Sequence, residues 1–363
     1  MKTNIRFLLP RRLWISAFLV VLVFSGCANK PAPLESPVVD VSYDNLLSPE
    51  AEELVRTGIQ YHDRGDYDTA LDYYKKAMEI APNHPIIFYE MGYSYISLGN
   101  NKDALEMAEK GITEAKARSY EEVIPSLLDL KGSALDNLGL SNEAIEVYLE
   151  AINEYHVANT FLYYNLGLCY YRIEKNEEAA EALRQGLLIN PNHASSNYLL
   201  GKICIEEGKK TQAFYSLCYF LLLEPNTDRS VLSYNTILHM IQYEEAIGIR
   251  DNGSFTAADM IISVAFTLDE ENFRLSDAEK TRAKLNYIFT NLDEHKNSGK
   301  IERSNGDELW WDYYSPFFNR IAVSEYFNTF CRYIGLSADP DADDWIENGR
   351  DEIEGFFKWL NDF

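Results

Sequence analysis

The residue types that usually perform catalysis or hold metal ions lack, in this chain, the spacing that either chemistry requires. The six histidines form no HExxH pair and no other ligand spacing; they are His62, His84, His156, His193, His239 and His295. The sequence contains no GxSxG nucleophile elbow, no phosphate-binding loop and no dinucleotide-binding glycine pattern. It therefore predicts a protein that is not an enzyme and that carries no cofactor or metal ion.

Thiol chemistry is equally hard to assign. Four cysteines form no CxxC pair and have no evident histidine partner: Cys169, Cys204, Cys218 and Cys331. Cys204 and Cys218 could form a disulfide in an exported protein. We favour buried free thiols instead, since unpaired cysteine is among the residue types most often found in cores.

Three aspartates, Asp339, Asp341 and Asp343, alternate like the start of a calcium-binding loop. Asp344 replaces the glycine that such a loop needs, and Arg350 stands where a bidentate glutamate belongs. We interpret the segment as an exposed turn in which Asp343 caps the last helix.

The fifth cysteine, Cys27, follows a segment with the composition of an export signal. The first 26 residues contain four cations and no acid, and their apolar run from Leu13 to Phe24 is too short to span a bilayer. The end of this segment, Phe24-Ser25-Gly26-Cys27, resembles the lipobox of bacterial lipoproteins, with Phe24 in place of the usual aliphatic residue. An ordinary secretory signal or an uncleaved anchor with an incidental cysteine is the alternative.

The lipobox resemblance implies that residues 1–26 are removed and that the Cys27 thiol takes a diacylglycerol, with a third acyl chain on the freed amine. Several acyl chains together anchor a protein stably to a membrane. Ala28, in place of an acidic residue, resembles the pattern of lipoproteins sorted to an outer membrane, so the resemblance implies an envelope location facing the periplasm. Residues 27–46 contain three prolines and no apolar period, and at about 3.1 Å per residue such a tether reaches about 60 Å.

The charge of the chain limits the kinds of partner. The sequence has 33 basic and 57 acidic residues, a formal charge of −24. Without residues 1–26 it would keep 29 basic against 57 acidic residues, a charge of −28. Such a surface repels phosphate backbones, so we expect no nucleic-acid partner.

A 34-residue frame organises the middle of the chain and recurs five times over residues 51–226, with starts at 51, 85, 125, 160 and 194. In the first copy, small residues stand at fixed offsets, at Gly58, Ala70 and Ala77. Small side chains at such intervals let two helix axes approach to about 8–10 Å. The interval from 85 to 125 is 40 residues, and we expect an extended second helix or a loop around residues 115–122.

These positions closely resemble those of the tetratricopeptide repeat family, in which each repeat is a pair of antiparallel helices. The resemblance implies an all-α fold, a superhelix (α-solenoid) of stacked helix pairs, because one repeat cannot bury its apolar face alone. It also implies that a partner segment binds the concave face, which the first helices of the repeats line. The family's offsets place these residues on that face: Tyr89, Tyr93, Asp129, Asp136, Asn137, Phe161, Tyr164, Tyr171, Arg172, Tyr198 and Lys202.

Such a surface suits a protein or peptide partner, because tyrosine offers a large contact area with a polar tip at small entropic cost. Some of these tyrosines could instead pack against the next repeat.

After Pro225 the frame disappears and helical periodicity continues, which predicts an all-helical C-terminal domain over residues 228–363. Helices are expected over residues 231–247, 257–268, 276 to about 292, about 307–334 and about 343–360. The third of these begins with a capping box at 276–279. A polar loop is expected over residues 297–306. The region is rich in aromatic residues, which we interpret mainly as a core. A platform for sugars is the alternative. Because neighbouring residues of an α-helix cannot share one face, we expect either Trp310 or Trp311 to be exposed for a partner.

Together these features predict a membrane-tethered adaptor that holds a protein partner in the bacterial cell envelope. One alternative is that the C-terminal helices form a carbohydrate-binding or enzymatic domain directed at the cell wall and delivered by the repeats. Another is that the groove closes on a second copy or on the C-terminal helices, which would produce self-association.

Overall fold

The structure, a computed structural model, describes residues 47–242, 255–268, 275–298 and 306–362. These residues are helical, with no β-strand among them, so the predicted all-α fold class is confirmed. The predicted signal segment, Cys27 with its tether, most of the 297–306 loop and the end of the helix expected to reach residue 247 lie outside the described residues. The described residues up to Ile189 form one compact unit, and those from Asn190 onward form a second.

The first unit consists of four helix pairs. They are α1 (Pro49–Asp63) with α2 (Tyr67–Ile80), α3 (Pro85–Ser97) with α4 (Asn101–Arg118), α5 (Ile124–Asn137) with α6 (Ser141–Glu154), and α7 (Thr160–Arg172) with α8 (Asn176–Ile189). The long interval between repeats is accounted for by α4, which has 18 residues, and by the 3₁₀ turn Glu121–Val123 that follows it. The predicted extension of that second helix is therefore confirmed.

Close packing within each pair depends on residues with little or no side chain. A Cβ atom added at Gly58 would lie 2.3 Å from Cε1 of Tyr74, and one added at Gly132 would lie 2.5 Å from Cζ of Tyr148. Both tyrosine rings are buried against the backbone of the preceding helix. In the first and third repeats the glycine is thus the counterpart of a tyrosine sixteen residues later, and in the fourth and fifth it is the counterpart of Leu183 and Leu217.

The second unit begins with the fifth helix pair, α9 (Ala194–Glu206) and α10 (Lys210–Leu223). It continues with α11 (Asp228–Gln242), α12 (Thr256–Val264), α13 (Asp277–Asn297), a π-helical segment (Leu309–Tyr314) that runs into α14 (Ser315–Ala322), α15 (Phe327–Ile334), α16 (Ala342–Asn348) and α17 (Arg350–Asn361). The expected capping box is confirmed, because Ser276 accepts from the backbone of Glu279 while the Glu279 carboxylate accepts from Ser276.

Helix α10 is the centre of this unit. Every residue from Lys210 to Leu222 is buried, because α10 is in contact with α9, α11, α12, α15 and the π-helical segment. Its rings pack in the core: the Tyr215 ring stacks on that of Phe318 with centroids 5.6 Å apart, and the Phe214 ring is tilted against that of Phe289 with centroids 5.4 Å apart. The aromatic residues of this region are mainly core, as the sequence analysis proposed.

The expectation that one of Trp310 and Trp311 is exposed is wrong. Trp310 is 5% exposed and Trp311 is fully buried. They lie in the π-helical segment, where more residues per turn reduce the angle between neighbours. Trp311 stacks on Phe255 at 4.9 Å, while Trp310 packs against Tyr314 at 5.6 Å.

Two other helix predictions need correction. The helix expected over about 307–334 is divided at 323–326, and the helix expected over about 343–360 is divided at Gly349. Asp343 does not cap the last helix, because it lies inside α16, and Gly349 precedes α17.

The four cysteines at 169, 204, 218 and 331 are free and buried, as favoured above. Within the described residues, none of the helices combines the length and the apolar character needed to cross a bilayer.

Candidate partner-binding surface

The first helices of the four repeats in the first unit lie side by side. Helix α1 contacts α3, α3 contacts α5, and α5 contacts α7. Because each occupies the same position in its repeat, side chains from equivalent turns meet across the helix interfaces. This arrangement creates one surface shared by α1, α3, α5 and α7, which we call the first-helix surface.

A row of aromatic rings covers the beginning of the first-helix surface. His62 stacks on Tyr93 with ring centroids 5.1 Å apart, and Tyr93 stacks on Tyr89 at 6.2 Å. Tyr67 meets the edge of the His62 ring at 4.9 Å. The His62 Nδ1 atom also lies 2.8 Å from the Ser94 hydroxyl. Burial lowers the pKa of His62, although the Asp63 carboxylate opposes that shift, so the ring is neutral at pH 7.

A buried hydrogen bond joins α5 to α7. Asn165 Nδ2 donates to Asp129 Oδ1 over 3.0 Å, and Asp129 is 8% exposed. Burial raises the pKa of Asp129 to about 6, although the Asn165 hydrogen bond lowers it in part. The pair fixes the relative position of two neighbouring first helices and leaves a titratable group beneath the surface.

Two turns further along the same helices, a charged pair makes a second connection. Arg172 donates from Nη1 to Oδ2 of Asp136, and the Ser141 hydroxyl donates to Oδ1 of Asp136 over 2.8 Å. Tyr164 lies close enough to Arg172 to interact with it electrostatically. Because Arg172 is 38% exposed, this pair presents a guanidinium beside a tyrosine.

The nine predicted contact residues in the first unit differ in accessibility. Tyr89 and Asp129 are buried; Tyr93, Asp136, Phe161, Tyr164 and Tyr171 are half-buried; Asn137 and Arg172 are exposed. Tyr89 and Asp129 therefore offer little area to a ligand and support their neighbours. The half-buried tyrosines and Arg172 form the accessible part of the surface.

The other two predicted contact residues lie in the second unit. Tyr198 is half-buried, with its ring 5.2 Å from that of Phe220, and the Arg229 guanidinium lies 5.2 Å from the centre of the Tyr198 ring. Lys202 is exposed. Tyr198 is thus a packing residue of its own unit that keeps an accessible edge.

His62 and Asn165 belong to the surface but are not among the predicted contact residues, and Tyr67, on the second helix α2, packs against it. A signal for the polar connections between first helices was available, because Asp129 and Asn165 are separated by 36 residues, as are Asp136 and Arg172. This separation is one residue more than the 35 between the starts of the third and fourth repeats, so polar residues of first helices that lie about one repeat apart are candidates for hydrogen bonds between repeats.

The accessible side chains of the surface are mainly aromatic, amide and arginine groups, which are suited to binding. Among the residues that the structure describes, no group of three histidine, cysteine or acidic side chains is placed to hold a metal ion. Burial also raises the pKa of the Cys169 thiol, which keeps it protonated and unreactive.

The class of repeat is confirmed by comparison with protein families. A family model described as TPR repeat matches residues 58–99, and two described as tetratricopeptide repeat match residues 125–154 and 160–193. The chain therefore contains tetratricopeptide repeats, the helix-pair modules of protein–protein interaction scaffolds.

Among curated proteins, the chain is similar to BBSome complex member BBS4 from Bos taurus, with 24% identity over 162 residues. It is also similar to anaphase-promoting complex subunit CDC16 from Saccharomyces cerevisiae, with 26% identity over 145 residues. The matches cover 45% and 39% of this chain but 30% and 17% of those proteins, so the chain spans less than a third of the length of either. Among solved structures, PilF from Pseudomonas aeruginosa has a TM-score of 0.46 and 17% identity, covering 64% of this chain and 96% of that chain.

Proposed function

We propose that the protein is a membrane-tethered adaptor of the cell envelope that binds a segment of a protein partner along its first-helix surface. The observation that carries this proposal is the accessible row of tyrosines and the exposed Arg172 on adjacent first helices. Binding energy at protein interfaces is concentrated in aromatic and arginine anchors, and this surface offers both residue types in a fixed arrangement.

The rigidity of the surface supports this role. The His62–Tyr93 stack, the Asp129–Asn165 hydrogen bond and the Asp136–Arg172 pair all join different repeats. A ligand that meets a pre-arranged surface loses less free energy to ordering than one that must order loops. The acidic charge of the protein favours a neutral or basic partner segment through long-range steering.

The named relatives are consistent with a scaffold in a larger assembly, because both are described as members of multi-protein complexes. Self-association remains a further prediction, which light scattering of the purified protein tests. A catalytic C-terminal domain has less support, since its tryptophans Trp310 and Trp311 are core residues.

A capture experiment tests the surface. The wild type is compared with a Tyr93→Ala, Tyr164→Ala, Tyr171→Ala triple variant in pull-downs from detergent-solubilised envelopes. We expect the triple variant to lose partners that the wild type retains. A Tyr73→Ala variant is the matched control, because Tyr73 is a half-buried tyrosine on the second helix α2. Recovery of the same partners in the same amounts by all three proteins would exclude the first-helix surface as the binding site.

The tether is tested separately. We propose that Cys27 carries the lipid, so mass measurement of the amino-terminal peptide is expected to find acyl groups on Cys27. Replacement of Cys27 by serine is expected to release the protein from membrane fractions. An unmodified amino terminus would contradict the anchor while leaving the surface proposal intact.

A further inference from the structure

A cavity of about 520 Å³ lies in the second unit, where five helices converge. Its wall contains residues of α11, α13, α15, α16 and α17, together with the turn that follows α15. Much of the wall is apolar, with contributions from Ala278, Ala338 and Pro340, and Tyr234 and Trp345 provide aromatic surface. The volume falls in the range of about 300–1,000 Å³ that is typical of small-molecule sites.

Most of the charged groups on this wall are already engaged with one another. Arg332 donates from Nε to Asp339 Oδ2 over 3.0 Å, and its guanidinium lies 4.8 Å from the centre of the Trp345 ring. Partial burial raises the pKa of Asp339, but hydrogen bonds from the Asp341 backbone and Arg332 outweigh this and hold the pKa below its ordinary value. Asp339 is therefore an ionised partner that neutralises Arg332. The Glu352 carboxylate accepts a hydrogen bond from Thr329.

Two polar groups on the wall, which are neighbours in α13, lack a hydrogen-bond partner among the residues that the structure describes. Arg282 is half-buried and makes no ion pair or hydrogen bond with any residue that the structure describes, although it interacts electrostatically with the Glu279 carboxylate one turn earlier. Thr281 is 9% exposed and lines the cavity, yet its hydroxyl likewise has no hydrogen-bond partner within the described ranges. The guanidinium and the neighbouring hydroxyl therefore keep donors that a ligand in the cavity can use.

We infer that this cavity binds a small carboxylate with an apolar body, held by Arg282 and Thr281. Arginine and a hydroxyl are both donors, so together they recognise the two oxygens of a carboxylate. The two acidic side chains on the wall disfavour a dianion such as a phosphate monoester. The apolar part of the wall would cover the body of the ligand. The carboxylate could belong to a free organic acid or to the carboxyl terminus of a peptide.

Titration of the purified full chain with four probes tests this inference. The probes are 3-phenylpropanoate and 3-phenylpropanamide, and N-acetyl-alanyl-phenylalanine with a free or an amidated carboxyl group. We expect each carboxylate to bind more tightly than its amide. The first pair reports on a free acid and the second on a peptide terminus.

Two variants connect binding to the named residues. Arg282→Met is expected to weaken carboxylate binding about 10- to 100-fold, the effect of losing a charged hydrogen bond. Thr281→Val keeps the side-chain shape and is expected to weaken binding severalfold. Arg350→Met is the control, since Arg350 is exposed and is not part of the cavity wall.

The inference is overturned if the wild type binds neither carboxylate at millimolar concentrations, or if amides and carboxylates bind equally. It is also overturned if Arg282→Met and Thr281→Val, where folded, leave binding unchanged.

Discussion

Asp129 couples the stability of the repeats to pH. Its pKa in the folded protein is about 6, because burial raises it from 3.8 by more than the Asn165 hydrogen bond lowers it. The unfolded chain therefore ionises at a lower pH than the folded one. The folded state holds more protons between these two values, so this group lowers the free energy of unfolding as pH rises from about 4 to about 6.

Replacement of Asp129 by asparagine removes this titration and retains an oxygen acceptor for Asn165. We expect the difference in free energy of unfolding between Asp129→Asn and wild type to rise in favour of the variant by about 2 kcal/mol between about pH 4 and about pH 6. Urea unfolding at the two pH values measures the change, with Asp103→Asn at an exposed position of α4 as control. Parallel pH profiles for wild type and Asp129→Asn would show that the buried carboxyl does not titrate in this range.

Gly132 fixes the distance between the two helices of the third repeat. A Cβ atom there would lie 2.5 Å from Tyr148 Cζ, so we expect Gly132→Ala to reduce the free energy of unfolding by about 1–3 kcal/mol through overpacking. Gly355 in α17 is the matched control, because the nearest atom to its added Cβ, the Tyr326 hydroxyl oxygen, would lie 3.4 Å away, an ordinary contact distance. Gly355→Ala is expected to be neutral or stabilising through helix propensity. Equal effects of the two substitutions in denaturant melts would contradict the packing argument.

At the scale of an element, the turn between the two helices of each repeat has a common conformation. Gly65, Gly99, Gly139 and Gly208 occupy it with φ between 74° and 81°. In the fourth repeat the equivalent residue is Glu174, with φ of 61°. A side chain in this left-handed region costs about 1–2 kcal/mol, whereas glycine adopts it freely.

Glu174→Gly is therefore expected to stabilise the protein by up to about 1 kcal/mol, after the entropy that glycine adds to the unfolded chain. Glu174→Ala is the control, because it removes the same charge and keeps a Cβ in the left-handed region. Thermal unfolding of the three proteins measures the difference. If alanine stabilises as much as glycine, the cause is charge and not backbone conformation.

The features that the sequence predicted correctly depend on local patterns. The recurring small residues identified the helix pairs, and Ser276 with Glu279 identified the start of α13. The features that it missed depend on contacts between distant segments. Trp310 and Trp311 are both buried because Phe255 supplies a second packing surface and the backbone widens to a π-helix, neither of which is visible in the local periodicity.

The same limit applies to the candidate surface. The family offsets identified which turns of the first helices belong to it, but they did not separate buried from accessible members. Tyr89 is buried because Tyr93 covers it and His62 in turn covers Tyr93. His62 belongs to another repeat, at the position equivalent to Asp136 and Tyr171 in theirs, so the repeat frame marked its helical turn but not its stack with Tyr93.

At the scale of the whole molecule, the repeat pattern and the contacts divide the chain at different places. The pattern continues to residue 226, whereas the compact units divide after Ile189. The reason lies in α10, which belongs to the fifth repeat by sequence. Its residues from Lys210 to Leu222 are all buried, under elements that follow residue 227.

Two fragments distinguish these boundaries. A fragment of residues 47–226 keeps all five repeats but would expose Phe214, Tyr215 and Tyr219, whose ring contacts come from residues 289–318. We expect it to aggregate, since a contiguous apolar face on a helix is not stable in water.

A fragment of residues 47–189 contains the complete hydrophobic clusters of the first unit, and we expect it to be monomeric, helical and cooperative in thermal unfolding. Light scattering and circular dichroism measure both properties. A monomeric 47–226 fragment that melts above the 47–189 fragment would mean that the fifth repeat draws its stability from the first four and that the later helices merely cover it.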